Sequence, residues 1–332
     1  MFADIDGFTP LAERFSREAS EKGAEELTEL VNRFLAILIS TTARYGGDLQ
    51  KFGGDAGMVL FQGEAHALRA TAAAQEVQRA MKAQMGNVET SLGRFPLQIA
   101  IGLGGGRLTG VGLGNQDGRD WLLLGAPLTA MGEAQMAAPP GETLLARETW
   151  EACGGGVEAL PVEGDFYQVV TVQQPVSAGG RATTLSGCPD LEEDESIPWL
   201  LARLDALSPY LAPGLLERLV TAPALDRLRL WSEYRQVTVM MLTLPDFPDV
   251  VSCWGDEERL QQALEGPSAA FVQIRDAVLR YDGIVNKLGI GPHGPYGMVL
   301  FGAPQAHEDD PLRAVMAALE LQETFNGSLR FG

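Results

Sequence analysis

Gly57-Met-Val-Leu-Phe61 recurs letter for letter as Gly297-Met-Val-Leu-Phe301, and this repetition constrains the fold more than any other feature of the chain. The match extends outward on both sides. Tyr45-Gly-Gly-Asp-Leu-Gln-Lys51 aligns with Tyr281-Asp-Gly-Ile-Val-Asn-Lys287, Leu68-Arg-Ala70 with Leu312-Arg-Ala314, and Met1-Phe2-Ala3-Asp4 with Met240-Met241-Leu242-Thr243. A repeated order of segments means one fold built twice. The domains expected are a first copy over 1–175, an acidic and helical linker over 176–234, and a second copy over 235–332. With 332 residues, 45% of them hydrophobic, there is material for two full cores. On this alignment about five strand residues are missing ahead of Met1, and the second copy stops where the first has the strand starting at Leu97; truncation at both ends is the expectation.

Within the first copy, Leu27, Leu30, Val31, Phe34, Leu35, Leu38 and Ile39 fall at helical spacing, so 24–42 reads as an amphipathic helix on a sheet. Residues 49–52 and 57–61 read as a hairpin whose turn carries Asp55. An Ala-rich helix over 68–81, strands over 97–103 and 121–124, turns at Gly104–106 and Gly112–118 around a further strand, a helix over 129–138 stopped by Pro139-Pro140, and the Leu144-Leu145 and 167–172 runs complete it. The expected class is α/β (α+β), with mostly antiparallel sheets covered by helices.

Charge narrows the partners. A net charge of −19 leaves no basic footprint for nucleic acid or an anionic membrane. The apolar run Phe34-Leu-Ala-Ile-Leu-Ile39 is too short to span a bilayer, and no secretory signal is visible, so a cytoplasmic location is expected. Three scattered cysteines, Cys153, Cys188 and Cys253, imply no disulfide framework. His66, His293 and His307 show no metal-ligand spacing. The acidic run Asp190-Leu-Glu-Glu-Asp-Glu195 reads as a solvated face.

The chemistry concentrates in two short stretches. Phe2-Ala-Asp-Ile-Asp-Gly-Phe-Thr9 and Lys51-Phe-Gly-Gly-Asp55 each place one carboxylate, Asp4 or Asp55, at a turn beside an apolar strand. Neighbouring strands would bring the two together. Two carboxylates plus substrate phosphates are a sufficient ligand set for Mg²⁺. Gly7 and Gly54 free the backbone for close approach to phosphate oxygens.

Together these motifs resemble the catalytic domain of class III nucleotidyl cyclases, and the tandem arrangement is most similar to soluble adenylyl cyclases and their bacterial relatives. The resemblance covers the first copy throughout and extends more weakly over the second and the stretch from Pro209 that precedes it. It implies ferredoxin-like domains paired as an intramolecular pseudo-dimer with the site between them. It assigns Asp4, Ile5 and Asp55 to two Mg²⁺ or Mn²⁺ ions, Asp6, Gly7, Phe8, Thr9 and Gly54 to the triphosphate, and Lys287 to the adenine of ATP. A degenerate second site would hold Lys51, Ala126, Thr129, Glu133 and Thr243, none of the last four being the residue the family pattern asks for there. The activity implied is conversion of ATP to 3′,5′-cyclic AMP and pyrophosphate in intracellular signalling, with further ATPase and repeat domains downstream and little turnover by residues 1–332 alone. An inactive module that senses nucleotide and regulates other domains is the alternative.

Overall fold

The computed structural model describes residues 1–18, 20–173, 197–211, 235–244, 253–291 and 294–332. The acidic run, most of the linker, Cys188 and His293 lie outside the described residues. Two compact units emerge: one of 1–107 and 126–190, the other of 108–125 and 191–332.

The first unit opens with β1 (Phe2–Ile5), α1 (Phe8–Glu18) and α2 (Ser20–Arg44), followed by the hairpin β2 (Gly47–Gly53) and β3 (Ala56–Phe61) and by α3 (His66–Met85). A small hairpin, β4 (Val88–Thr90) and β5 (Gly93–Phe95), leads to β6 (Ile99–Leu103). Next along the chain come β7 (Thr109–Asn115) and β8 (Gly118–Leu124), which belong to the second unit. The first unit resumes with α4 (Ala126–Ala137), β9 (Thr143–Ala146), α5 (Arg147–Ala152), β10 (Val157–Val162) and β11 (Phe166–Val172).

Its seven-stranded sheet has the order β10-β11-β9-β6-β1-β3-β2, antiparallel except where β6 runs parallel to β9. The central β6-β1-β3-β2 block, with α1–α2 between β1 and β2 and α3 between β3 and β6, is the βαββαβ ferredoxin-like arrangement. The mixed α/β expectation therefore holds. One sheet face carries Ala3, Ile5, Ile99, Ile101 and Leu103, and these pack with Phe15, Phe34 and Leu38 of α1–α2 and Ala73, Ala74 and Val77 of α3. On the opposite face α4 approaches the backbone of β6. A Cβ at Gly102 would sit 2.3 Å from Gln135 N and Met131 O, and one at Gly104 2.1 Å from Pro127 O. Only glycine permits that contact.

The second unit adds α6 (Ile197–Leu207), β12 (Thr238–Thr243), α7 (Glu257–Arg280), β13 (Ile284–Gly291), β14 (Gly294–Phe301) and α8 (Asp310–Thr324). Its sheet runs β12-β14-β13, in the same relative order as β1-β3-β2. Strand pairing confirms the repeat residue by residue. Phe2 faces Met58 as Met241 faces Met298, and Asp4 faces Ala56 as Thr243 faces Tyr296. Backbone bonds link Met241 to Gly332 in both directions and Thr243 N to Arg330 O, placing 330–332 beside β12 where β6 lies beside β1.

The β7–β8 hairpin, expected from the sequence as a strand between glycine turns and a short apolar strand over 121–124, is stitched into this unit. Val111, Leu113, Leu122 and Leu124 share a core with Met240, Leu242, Phe271, Ile274, Val299 and Phe301. The guanidinium of Arg275, buried on α7, donates to Asn115 Oδ1 at 2.8 Å and to Gly118 O at 2.9 Å. Trp254 Nε1 donates to Thr109 Oγ1 at 2.7 Å.

Candidate active site

The candidate site of the first unit forms where β1 leaves the sheet. Alternation along β1 turns Ala3 and Ile5 into the core and Asp4 to the opposite face. Asp4 is flanked in register by Ala56 on β3 and Ala100 on β6, whose small side chains leave room for a carboxylate. Ile5 N donates to Asp55 O at 3.1 Å, which ties the end of β1 to the turn of the β2–β3 hairpin, and Asp6 N donates to Gln98 O at 2.9 Å. Gly54, at φ +62° with nothing near its Cβ position, makes the tight turn that presents Asp55.

Beyond Asp6, Gly7 at φ +69° turns the chain into α1, so the exposed Asp6, Gly7 and Thr9 and the half-buried Phe8 lie at a helix N-terminus. Free amides and the helix dipole favour an anion there. The segment from Asp4 to Thr9 thus places carboxylates and an anion-receptive turn side by side.

The electrostatics mark the two carboxylates as a pair. Partial burial, and then the charge of Asp55, push the Asp4 carboxyl up to about 6 from 3.8, against a lowering contribution from the Ile5 amide. Burial also raises Asp55. Two half-buried acids that disfavour each other's ionisation gain from a shared cation. Among the described residues no group of three or more His, Cys, Asp or Glu side chains converges. The two carboxylates and the Ile5 carbonyl would therefore need phosphate oxygens to complete the coordination of a hard cation, which suits Mg²⁺ or Mn²⁺ arriving with a nucleotide.

Ala126, Thr129 and Glu133 lie on α4 at helical spacing, all three exposed, with Lys51 half-buried on β2. Glu133 adds negative charge to its helix face, which is unfavourable for a phosphate.

The second unit carries neither carboxylate. Thr243, at the register position of Asp4, accepts a hydrogen bond from Arg330 N at 3.0 Å. The β13–β14 hairpin continues past Gly289–Tyr296 through Ile290–Pro295 to Gly291–Gly294, so Pro295, within β14, stands where the first copy has Asp55 in the turn before Ala56. Lys287 and Lys51 hold matching places: each pairs with the Met of the repeated pentapeptide, Met298 or Met58, immediately after a register shift in its strand.

One residue escaped the sequence reading. Asp120, on β8, accepts a hydrogen bond from Leu288 N at 2.6 Å. It belongs to no motif, and only the placement of the hairpin brings it to β13.

Sequence comparison finds relatives of this chain among proteins named as adenylate cyclases. Adenylate cyclase type 10 from Oryctolagus cuniculus is 22% identical over 97% of the chain, and the form from Rattus norvegicus 29% identical over 46% of it. The chain spans about one fifth of the length of the rabbit relative. No protein-family model matches. Among solved structures, the guanylyl cyclase Cya2 aligns over 54% of this chain and 94% of its own at 23% identity with a TM-score of 0.44. The adenylyl cyclase CyaB from P. aeruginosa aligns over 51% and 91% at 27% identity with a TM-score of 0.42.

Proposed function

We propose that this chain is the metal-binding part of an adenylate cyclase that converts ATP to 3′,5′-cyclic AMP and pyrophosphate. The observation that carries the reading is the raised, mutually repelling pair Asp4 and Asp55 in the first copy, set against Thr243 and Pro295 in the second. The 3′ oxygen of ribose bonds to the α-phosphorus, the bond from that phosphorus to the pyrophosphate oxygen breaks, and the hydroxyl proton passes to solvent. Two divalent ions, when bound, would acidify the hydroxyl and neutralise the departing pyrophosphate.

This chain's residues have separable tasks in that scheme. Asp4, Asp55 and the Ile5 carbonyl hold the ions. The turn from Asp6 to Thr9, with Gly54, receives the triphosphate. Lys287, on the second copy, contacts the adenine. The second pocket, with Lys51, Ala126, Thr129, Glu133 and Thr243, stays silent. Exposed Glu133 favours one rival reading, a nucleotide-sensing module without turnover.

Mn²⁺-dependent formation of cyclic AMP, measured with and without Asp55→Ala, tests the proposal. Loss of at least about a hundredfold in the variant is expected, given what electrostatic stabilisation contributes to such reactions. Equal output from the variant contradicts it. ATP binding that needs no divalent ion and survives Asp55→Ala favours the sensing module.

A further inference from the structure

We infer that Asp120 is a positioning residue for Lys287, both lying in the second unit. The inference rests on the reading that Lys287 contacts the base.

β13 is the edge of the β12-β14-β13 sheet, and among the described residues no strand pairs with its outer side. Its register shifts between Val285 and Lys287, the mark of a bulge. Bulges re-aim side chains and weaken local pairing. An edge strand with a bulge one residue ahead of a recognition lysine needs an external restraint to hold that lysine in one direction.

Asp120 supplies it. One carboxylate oxygen accepts from Leu288 N at 2.6 Å, and the other accepts from Trp121 N at 2.7 Å, which fixes the carboxylate on its own strand. Hydrogen bonds to an ionised acceptor are the short, strong kind. Leu288 is buried in the core, so Lys287, the adjacent residue, projects from the opposite sheet face. That is the face of Thr243, equivalent to the face Asp4 occupies in the first unit. The clamp thus holds the residue next to Lys287 by its backbone and by its buried side chain at once. Asp120 is anchored in turn through β8, whose Leu122 and Leu124 belong to the same core.

The test compares the full chain with Asp120→Ala, Asp120→Asn and Lys287→Ala, reading Mn²⁺-dependent ATP affinity by calorimetry and exchange of the Leu288 amide by NMR. Asp120→Ala should weaken ATP binding about fivefold to tenfold and speed Leu288 exchange at least about tenfold. Asp120→Asn, which keeps an acceptor oxygen, should stay within about threefold of the parent in affinity. Lys287→Ala should weaken ATP binding while leaving Leu288 exchange unchanged. If Lys287→Ala weakens binding and Asp120→Ala does not, the positioning role is wrong and the base contact stands. If Lys287→Ala leaves ATP affinity intact, or the parent chain binds no ATP, the base contact fails and the positioning role fails with it.

Discussion

The β2–β3 and β13–β14 hairpins share a pentapeptide, a register shift and a lysine, yet only one of them presents a carboxylate at its tip. The difference is geometric as much as chemical. In the first copy the ladder closes at Gly53–Ala56 and the chain turns at Gly54-Asp55; in the second it runs two pairs further to Gly291–Gly294. Lengthening a hairpin carries its turn away from the neighbouring strand end, so the second copy loses its acid in substance and in position. The shared parts of the two hairpins build the core, and the parts that differ decide the chemistry.

The largest expected effect separates the two tips. Asp55→Ala should reduce Mn²⁺-dependent ATP affinity at least about thirtyfold, whereas Pro295→Ala should leave it within about twofold, as isothermal titration would show. Packing beneath the hairpins gives a smaller contrast. A Cβ at Gly57 would lie 2.5 Å from Leu38 Cδ2, but one at Gly297 would lie 3.3 Å from Leu242 Cδ1. Gly57→Ala should cost about 1–3 kcal/mol in urea unfolding, and Gly297→Ala less than about 1 kcal/mol. Equal costs would mean that the two cores are packed alike.

Protonation supplies the third contrast. Because Asp4 is raised from 3.8 to about 6, the folded chain holds its proton more tightly than the unfolded chain. The stability this contributes is complete below about pH 3.8 and is lost as pH rises through about 6. With divalent ions removed, Asp4→Asn should stabilise the protein by about 1 kcal/mol at pH 7.5, a figure discounted for partial exposure, and change little at pH 4. Thr243→Asn should show no such pH dependence.

The smallest effect lies on the matching helices α3 and α8. Gln75 donates to Val170 O at 3.0 Å and accepts from Val172 N at 3.2 Å, while its counterpart Leu319 is exposed. Gln75→Leu should cost about 0.5 kcal/mol and Leu319→Gln less than about 0.3 kcal/mol by thermal unfolding.

Much of this asymmetry was legible in the sequence, because repeats and carboxylate-bearing turns are local patterns. Asp4, Asp55 and the helices beneath them follow from alternation and periodicity, and strand pairing bears out the alignment of Asp4 with Thr243. The β7–β8 hairpin was legible only in part: a strand between the two glycine clusters and one over 121–124 are expected, but their pairing and the packing against α7 depend on residues such as Arg275 and Ser268 far along the chain. Short α5 and β10 carry too few residues to show a period. Asp120 was invisible for the same reason as the hairpin, since its partner is a backbone amide 168 residues away.

Counting the Mn²⁺ ions retained per chain in the presence of a non-cyclisable ATP analogue tests the central claim most directly. Two carboxylates in the first copy and none in the second predict two ions per chain, both lost in the Asp4→Asn/Asp55→Asn double variant. Ions that survive that double substitution, or four ions per chain, would contradict it.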